Sequence, residues 1–276
     1  MVAPNDVVLI DLAFVLESSE KSFCGAPLIL GAQGEDNTVL YGVARDLLRL
    51  RKSASIGRAI VVIGKEVKTV STEGNINCVV HLLRRLGAAV VYEPKATAPS
   101  LCRSLSSAAR WAVTQNRVLF QLVSDDFGII VPDVAKDELE VVTVESLKTS
   151  LGIRPDQVPS FLALTAGGKK ALFTKRQAIR LLEVHGNLGG LLQDISVVSS
   201  HPMRRQIAAN EKVLLDRLYD MRPEEAVCPP APLPGIALAF IRDDENSTGI
   251  LREYGCWSLV RLLPRSTTTS CLLRRK

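Results

Sequence analysis

Short, almost purely apolar runs alternate with stretches of helical periodicity over the first 145 residues, and this alternation constrains the fold more than any other feature of the chain. Residues 6–14 (DVVLIDLAF) read as a buried strand, an apolar run that meets a carboxylate at Asp11. Residues 59–63 (AIVVI), 88–92 (AAVVY) and 117–123 (RVLFQLV) read as three more strands, and Ile129, Ile130 and Val131 as the start of a short fifth. Between them, residues 38–50, 75–86 and 99–113 carry apolar side chains at helical spacing. Continuous apolar runs, unlike alternating ones, belong to strands covered on both faces. Strands that alternate with helices imply a mostly parallel sheet with helices on both faces, an α/β fold.

After residue 145 the pattern changes. Residues 146–225 show helices with short polar breaks, and residues 226–276 a proline-rich linker, CPPAPLPG at 228–235, followed by a mixed segment with a basic end. The net charge of +5 is small, but its location is informative. Between Gly167 and Arg222 there are ten Lys/Arg and five acids, an excess equal to that of the whole chain. The six cysteines are widely spaced, with no CxxC pair and no Cys/His cluster, so a zinc site is not expected and a reduced, intracellular compartment is. No apolar run reaches the length needed to span a bilayer, and nothing reads as a secretory signal, so no membrane partner is expected. His81, His185 and His201 stand apart from one another, and no Walker loop, Gly-x-Ser-x-Gly or His-Glu-x-x-His motif is present.

Several segments, in order, resemble the 5′-nuclease domain of bacterial-type DNA polymerase I and the related 5′–3′ exonucleases and flap endonucleases. VLIDLAFVL resembles the opening strand of that family, and TVLYGVARDLLRLRK the helix after it. RVLFQLVSDDFGIIV stands for the strand that ends in a Gly-Asp-Lys-Asp motif. LGIRPDQVPSFLALT, KRQAIRLLEVHGNLGGLL and RRQIAANEKVLLDRLYDMR resemble the helix–hairpin–helix region. The resemblance implies a PIN-like, resolvase-like sheet over residues 1–145 and a helix–hairpin–helix-type subdomain over 146–225.

Such nucleases hydrolyse phosphodiesters with two divalent metals, which take hard oxygen ligands from a crowd of carboxylates at one sheet edge. By the resemblance, Asp11 stands at the first acid position. Ile63-Gly64 replaces the second, and Thr97-Ala98-Pro99-Ser100 the third, without a carboxylate. At the fourth, Ser124-Asp125-Asp126 keeps Asp126, and at the fifth, residues 166–170 hold two glycines and two lysines in place of acids. Asp11 and Asp126 are thus the candidate Mg²⁺ ligands if any activity remains. The expectation is that the chain does not cut by the family mechanism and needs no cofactor.

The family's hairpin glycines are replaced by Leu172-Phe173-Thr174, which makes Phe173 a candidate packing residue and puts close backbone approach to phosphate in doubt. Lys169, Lys170, Lys175, Arg176, Arg180, Arg204 and Arg205 remain as candidate contacts to a DNA or RNA backbone. Only 32 residues separate Gly64 from Thr97, including a helix and a strand, which leaves little room for the arch that threads a 5′ end. The expected function is a degenerate 5′–3′ exonuclease-like protein that binds nucleic acid or is a structural subunit of a nucleic-acid-processing complex. The alternatives are a weak Mg²⁺- or Mn²⁺-dependent nuclease using Asp11 and Asp126, and a purely structural assembly subunit. The bacterial type of the resemblance favours an organelle, the mitochondrion, if the chain is eukaryotic.

Overall fold

A computed structural model describes residues 2–3, 5–23, 29–31, 34–67, 73–133, 138–168, 171–223 and 245–263. The first apolar run stops being a strand earlier than its hydropathy predicts. β1 is Val7–Asp11, and helix α1 (Leu12–Phe23) begins at the next residue. α2 (Thr38–Ala54) leads to β2 (Arg58–Ile63), α3 (Glu73–Arg85) to β3 (Ala89–Tyr92), and α4 (Ala98–Leu105) to β4 (Trp111–Val113). β5 (Gly128–Asp133) and β6 (Glu138–Val142) pair antiparallel. The sheet order is β3-β2-β1-β4-β5-β6, and every pairing is parallel except that of β6 with β5. This is the mostly parallel sheet that the sequence predicts.

Two local predictions need correction. Residues 99–113 are not one helix: the helix ends at Leu105, the Ser106 hydroxyl donates to the Arg103 carbonyl at 2.8 Å, and after a 3₁₀ turn (Ser106–Ala108) the chain enters β4 between β1 and β5. Residues 117–123 are not a strand. Asn116 caps Arg117–Leu122 as a 3₁₀ helix by accepting from Val118 N at 3.0 Å, and Leu119, Phe120 and Val123 turn into one core. The composition suits a strand, but the cap and the burial pattern suit a turn of helix.

The pleat divides the sheet's side chains between two cores. Val8, Ile10, Ala59, Val61 and Ile63 face α1, α2 and α3. Leu9, Ile60, Val62, Ala112 and Ile129 face α4 and the helices after residue 144. Those are α5 (Val144–Leu151), α6 (Val158–Thr165), α7 (Lys175–His185), α8 (Leu188–Gln193), α9 (His201–Ala209) and α10 (Glu211–Asp220). Phe161, Leu182 and Leu214 from this helical region lie in the same core as the sheet residues, so it is packed onto one sheet face. Phe173 is 2% exposed in that core, the packing role that its replacement of a hairpin glycine suggested.

The segment after the proline-rich stretch joins the opposite face. α11 (Glu245–Glu253) and the 3₁₀ turn Trp257–Leu262 bring Ile250, Leu251, Cys256 and Leu259 into the first core. Tyr254 Oη lies 2.6 Å from His81 Nδ1, and Arg85 pairs with Glu253 at 2.7 Å. The stretch 228–235 and the basic end lie outside the described residues. Among the described residues, no helix is long and apolar enough to cross a membrane.

Candidate functional site

In a parallel sheet, side chains that do chemistry gather at the carboxyl ends of the strands, where the loops open. Asp11 closes β1 at that edge, beside the ends of β2, β3 and β4. It is 4% exposed, and both its oxygens are engaged: Ala13 N donates to Oδ1 at 3.1 Å and the Thr114 hydroxyl to Oδ2 at 2.8 Å. Asn116 N in turn donates to Thr114 Oγ1 at 2.9 Å. Burial pushes the Asp11 carboxyl up to about 6 against the pull of these two bonds, and the charge of Glu66 adds to the rise. Cys102, fully enclosed nearby, is driven well above its ordinary value by burial and by the charges of Asp11 and Glu66.

Asp126 is at the other end. It precedes β5, which runs parallel to β4, so it lies at the amino edge of the sheet, where it meets Arg110 at 3.6 Å. The pairing of Asp11 with Asp126 as metal ligands is therefore corrected: the sheet separates them. The error follows from the misplaced strand. The strand before the fourth acid position is Trp111–Val113, so the loop at that position is Thr114 to Val118, and it holds no carboxylate.

The second position is closed sterically. A Cβ on Gly64 would overlap the backbone nitrogen of Ala98 and the Glu66 carboxylate. At the third, the start of α4 is capped from within. Thr97 Oγ1 accepts from Ser100 N at 3.2 Å, and both Glu66 oxygens accept from Ala98 N, at 3.1 and 3.0 Å. Glu66, which sequence reasoning passed over because it is two residues beyond the family position, is brought by the fold within electrostatic reach of Asp11. Among the described residues, no three His, Cys, Asp or Glu side chains gather to hold a metal ion. With Asp11 and Glu66 already engaged and no three such donors gathered among the described residues, the edge does not fit a two-metal centre.

Around this edge is a cleft of about 620 Å³, lined by Lys65, Glu66, Thr97, Asn116, Tyr219 and Arg222 among others. One wall is the last turn of α10, tied down by Gln121 Nε2, which donates to the Met221 carbonyl at 2.9 Å. A second, separate groove of about 510 Å³ is flanked by Lys175, Arg176 and Arg180. These three are exposed on one face of α7, with Glu183 the acid among them. Two of the amides at the start of α7 are occupied by a capping box: Gln177 N donates to Thr174 Oγ1 at 3.3 Å and Thr174 N to Gln177 Oε1 at 2.9 Å. Gln206 Nε2 donates to the Leu172 carbonyl at 2.8 Å, anchoring the helix of Arg204 and Arg205 next to the hairpin. Arg205 is exposed, while Arg204 donates to the Ser196 carbonyl at 3.2 Å. Lys169 and Lys170 lie outside the described residues.

This architecture is the PIN-like fold of the flap endonucleases and 5′–3′ exonucleases. The catalytic core of Rad2, solved in complex with a DNA substrate, superposes with a TM-score of 0.62 at 16% identity, over 94% of this chain and 93% of that one. Flap endonuclease-1 from Methanococcus jannaschii superposes at 0.61 and 9% identity, over 93% and 90%. In sequence the chain is similar to DNA polymerase I of Mycobacterium tuberculosis, 29% identical over 136 residues, which is 45% of this chain and 15% of the polymerase. It is also similar to the thermostable DNA polymerase I of Thermus filiformis, 24% identical over 208 residues, 65% of this chain and 24% of that enzyme. The chain thus spans under a quarter of the length of these polymerases. No protein-family model matches it.

Proposed function

We propose that this chain is a catalytically degenerate 5′–3′ exonuclease-like protein, which binds nucleic acid as a subunit of a nucleic-acid-processing complex. The reading rests on one observation, the self-satisfied, carboxylate-poor edge where this fold would hold its metals. Asp11 is buried against Thr114, Gly64 has no room for a side chain, and Glu66 caps α4. Crowded carboxylates repel one another unless cations neutralise them, so a chain without metals gains stability by losing them. The exposed cations of α7 supply the binding half of the reading, and the Rad2 core solved with DNA lends it support. A structural role in the complex and an organellar address are parts of the same proposal.

Affinity for duplex, 5′-flap and single-stranded probes should be measured against salt. The expected result is a linear fall of log affinity with log salt. Salt-independent or absent binding removes the binding half. In parallel, a labelled 5′-flap should stay intact with Mg²⁺ or Mn²⁺. Residual cleavage would have to run through Asp11 and Glu66, and its loss in Asp11→Ala would overturn the degenerate reading. Purification with bound partners tests the subunit role.

A further inference from the structure

The sheet ends on β6, and the bonding of β5 decides which backbone groups of β6 face outward. Along a strand, the N–H and C=O of one residue point to the same side, and successive residues alternate. Gly128 N donates to the Arg110 carbonyl at 3.0 Å, Thr114 N to the Ile130 carbonyl at 3.1 Å, and Gln115 Nε2 to the Pro132 carbonyl at 2.9 Å. The even-numbered residues of β5 thus serve the β4 side. Ile129, Val131 and Asp133 serve β6, opposite Val142, Glu140 and Glu138. Leu139 and Val141 then turn their N–H and C=O groups to the open edge, and among the described residues no hydrogen bond reaches them. Their side chains lie on the face of α1 and α2, because Val142, the next in the alternation, is buried in the opposite core. Val141 is 42% exposed, and Leu139 helps to line a hollow of about 50 Å³ with Phe14, Val15 and Leu50. Asp46 and Arg49 offset one another at its rim, which leaves the lining to select an apolar side chain. On the other face Glu138 and Glu140 stand exposed. Asp133 is directly across from Glu138, and Arg117 is the one cation among the described residues lining that side.

We infer that the open edge of β6 binds an extended segment of a partner protein, in which apolar residues alternate with Lys or Arg, as a further strand of the sheet. Such a strand supplies the ladder bonds that Leu139 and Val141 lack. Its alternation sends the apolar side chains towards Val141 and the hollow, and the cations towards Glu138 and Glu140. The same carboxylates argue against a second copy of this chain, because β6 paired with β6 would set Glu138 and Glu140 of one copy against those of the other. The inference rests on the subunit half of the reading above, which it deepens by naming the partner's chemistry, and it is independent of the nucleic-acid half.

The test titrates the full chain with a short capped peptide that alternates valine with lysine, and follows the backbone amide signals of Leu139 and Val141 by NMR. Those signals should shift, and a valine–glutamate peptide should bind roughly tenfold more weakly. Val141→Pro removes an outward N–H that β5 does not use, so the fold should hold while affinity for the lysine peptide falls roughly tenfold. The double variant Glu138→Lys, Glu140→Lys, at two exposed positions, should reverse the preference between the peptides, whatever the proline does to folding. Absence of any shift at millimolar lysine peptide, equal binding by the wild type and Val141→Pro, or an unchanged preference in the double variant overturns the inference. Each of these leaves the subunit reading to be decided by purification with bound partners. Slow hydrogen exchange at Leu139 and Val141 without peptide also overturns it, because the edge is then already covered. Protection that grows with protein concentration would assign the cover to a second copy, and protection that does not would assign it to the chain itself.

Discussion

The carboxyl edge of the sheet and the flank that begins at Lys175 are treated in opposite ways by the same chain. At the edge, polar groups are used up internally. Asp11, Thr114 and Asn116 form a chain of hydrogen bonds, and Glu66 and Thr97 serve α4. On the flank, Lys175, Arg176 and Arg180 project to solvent along one helix face, at the cost of mutual repulsion. An edge whose Asp11 and Glu66 are already engaged has little left to offer a metal. An exposed run of cations with one acid among them still has its charge to offer a polyanion. On the proposed reading the difference separates holding from cutting within one fold, and four variants can break or sharpen it.

The largest effect is expected at the edge. Gly64→Asp restores the carboxylate that the resemblance expects at that position, but the backbone of Thr97 and Ala98 fills its space. Overpacking and a buried charge together should cost at least about 3 kcal/mol, read from urea denaturation. A variant as stable as the wild type would mean that the edge is open after all. On the flank, Lys175→Glu, Arg176→Glu and Arg180→Glu together should weaken duplex binding roughly a hundredfold and reduce the salt slope by about three. Stability should shift by less than about 1 kcal/mol, because all three are surface positions. Unchanged binding would move the interface elsewhere.

The strands β1, β2 and β3 were legible because a strand covered on both faces has no polar alternation to hide it: VVLI and AIVVI can scarcely be anything else. β4 was not. It has three residues, and Trp111–Val113 becomes a strand only because β1 and β5 lie on either side of it. The apolar run after it has strand composition, but Asn116 caps it into a 3₁₀ helix, a decision made by one side chain and a tertiary core. That displacement carried the fourth acid position from the Asn116 loop to Asp126, at the wrong end of the sheet. Glu66 was invisible for a related reason: only the fold brings it to α4 and within electrostatic reach of Asp11. The α7 cations were legible because surface charges at helical spacing need no tertiary partner to be recognised.

The third prediction concerns Asp11 and sharpens the contrast from the edge's side. Its carboxyl is raised to about 6, chiefly by burial, so the folded state binds this proton more readily than the unfolded chain does. The stabilisation it contributes is fully present below the ordinary carboxylate range and is lost as the pH rises through about 6. Asp11→Asn removes the buried charge. It should therefore be the more stable protein at pH 8, by roughly 1–3 kcal/mol, with the advantage gone near pH 4. Urea midpoints across that range measure it. Millimolar Mg²⁺ should leave the wild-type midpoint where it is. A metal-holding edge would give the reverse, stabilisation by Mg²⁺ that Asp11→Asn abolishes.

The smallest effect tests how the flank makes its contacts. If phosphates were held by backbone amides at the start of α7, those amides would have to be available, yet Thr174 and Gln177 occupy two of them reciprocally. Phe173 fills the hairpin position where the resemblance expects glycine and is sealed in the core, so the backbone cannot come close in its place. On the proposed reading, contact runs chiefly through the side chains of Lys175, Arg176 and Arg180. Thr174→Ala breaks the capping box and should cost about 1 kcal/mol of stability. It should change duplex affinity by no more than about twofold, since the charges that bind are untouched. An affinity that rises severalfold when the amides are released would instead show that they are phosphate ligands held back by their own cap, and the flank would then be a regulated surface rather than a constitutive one.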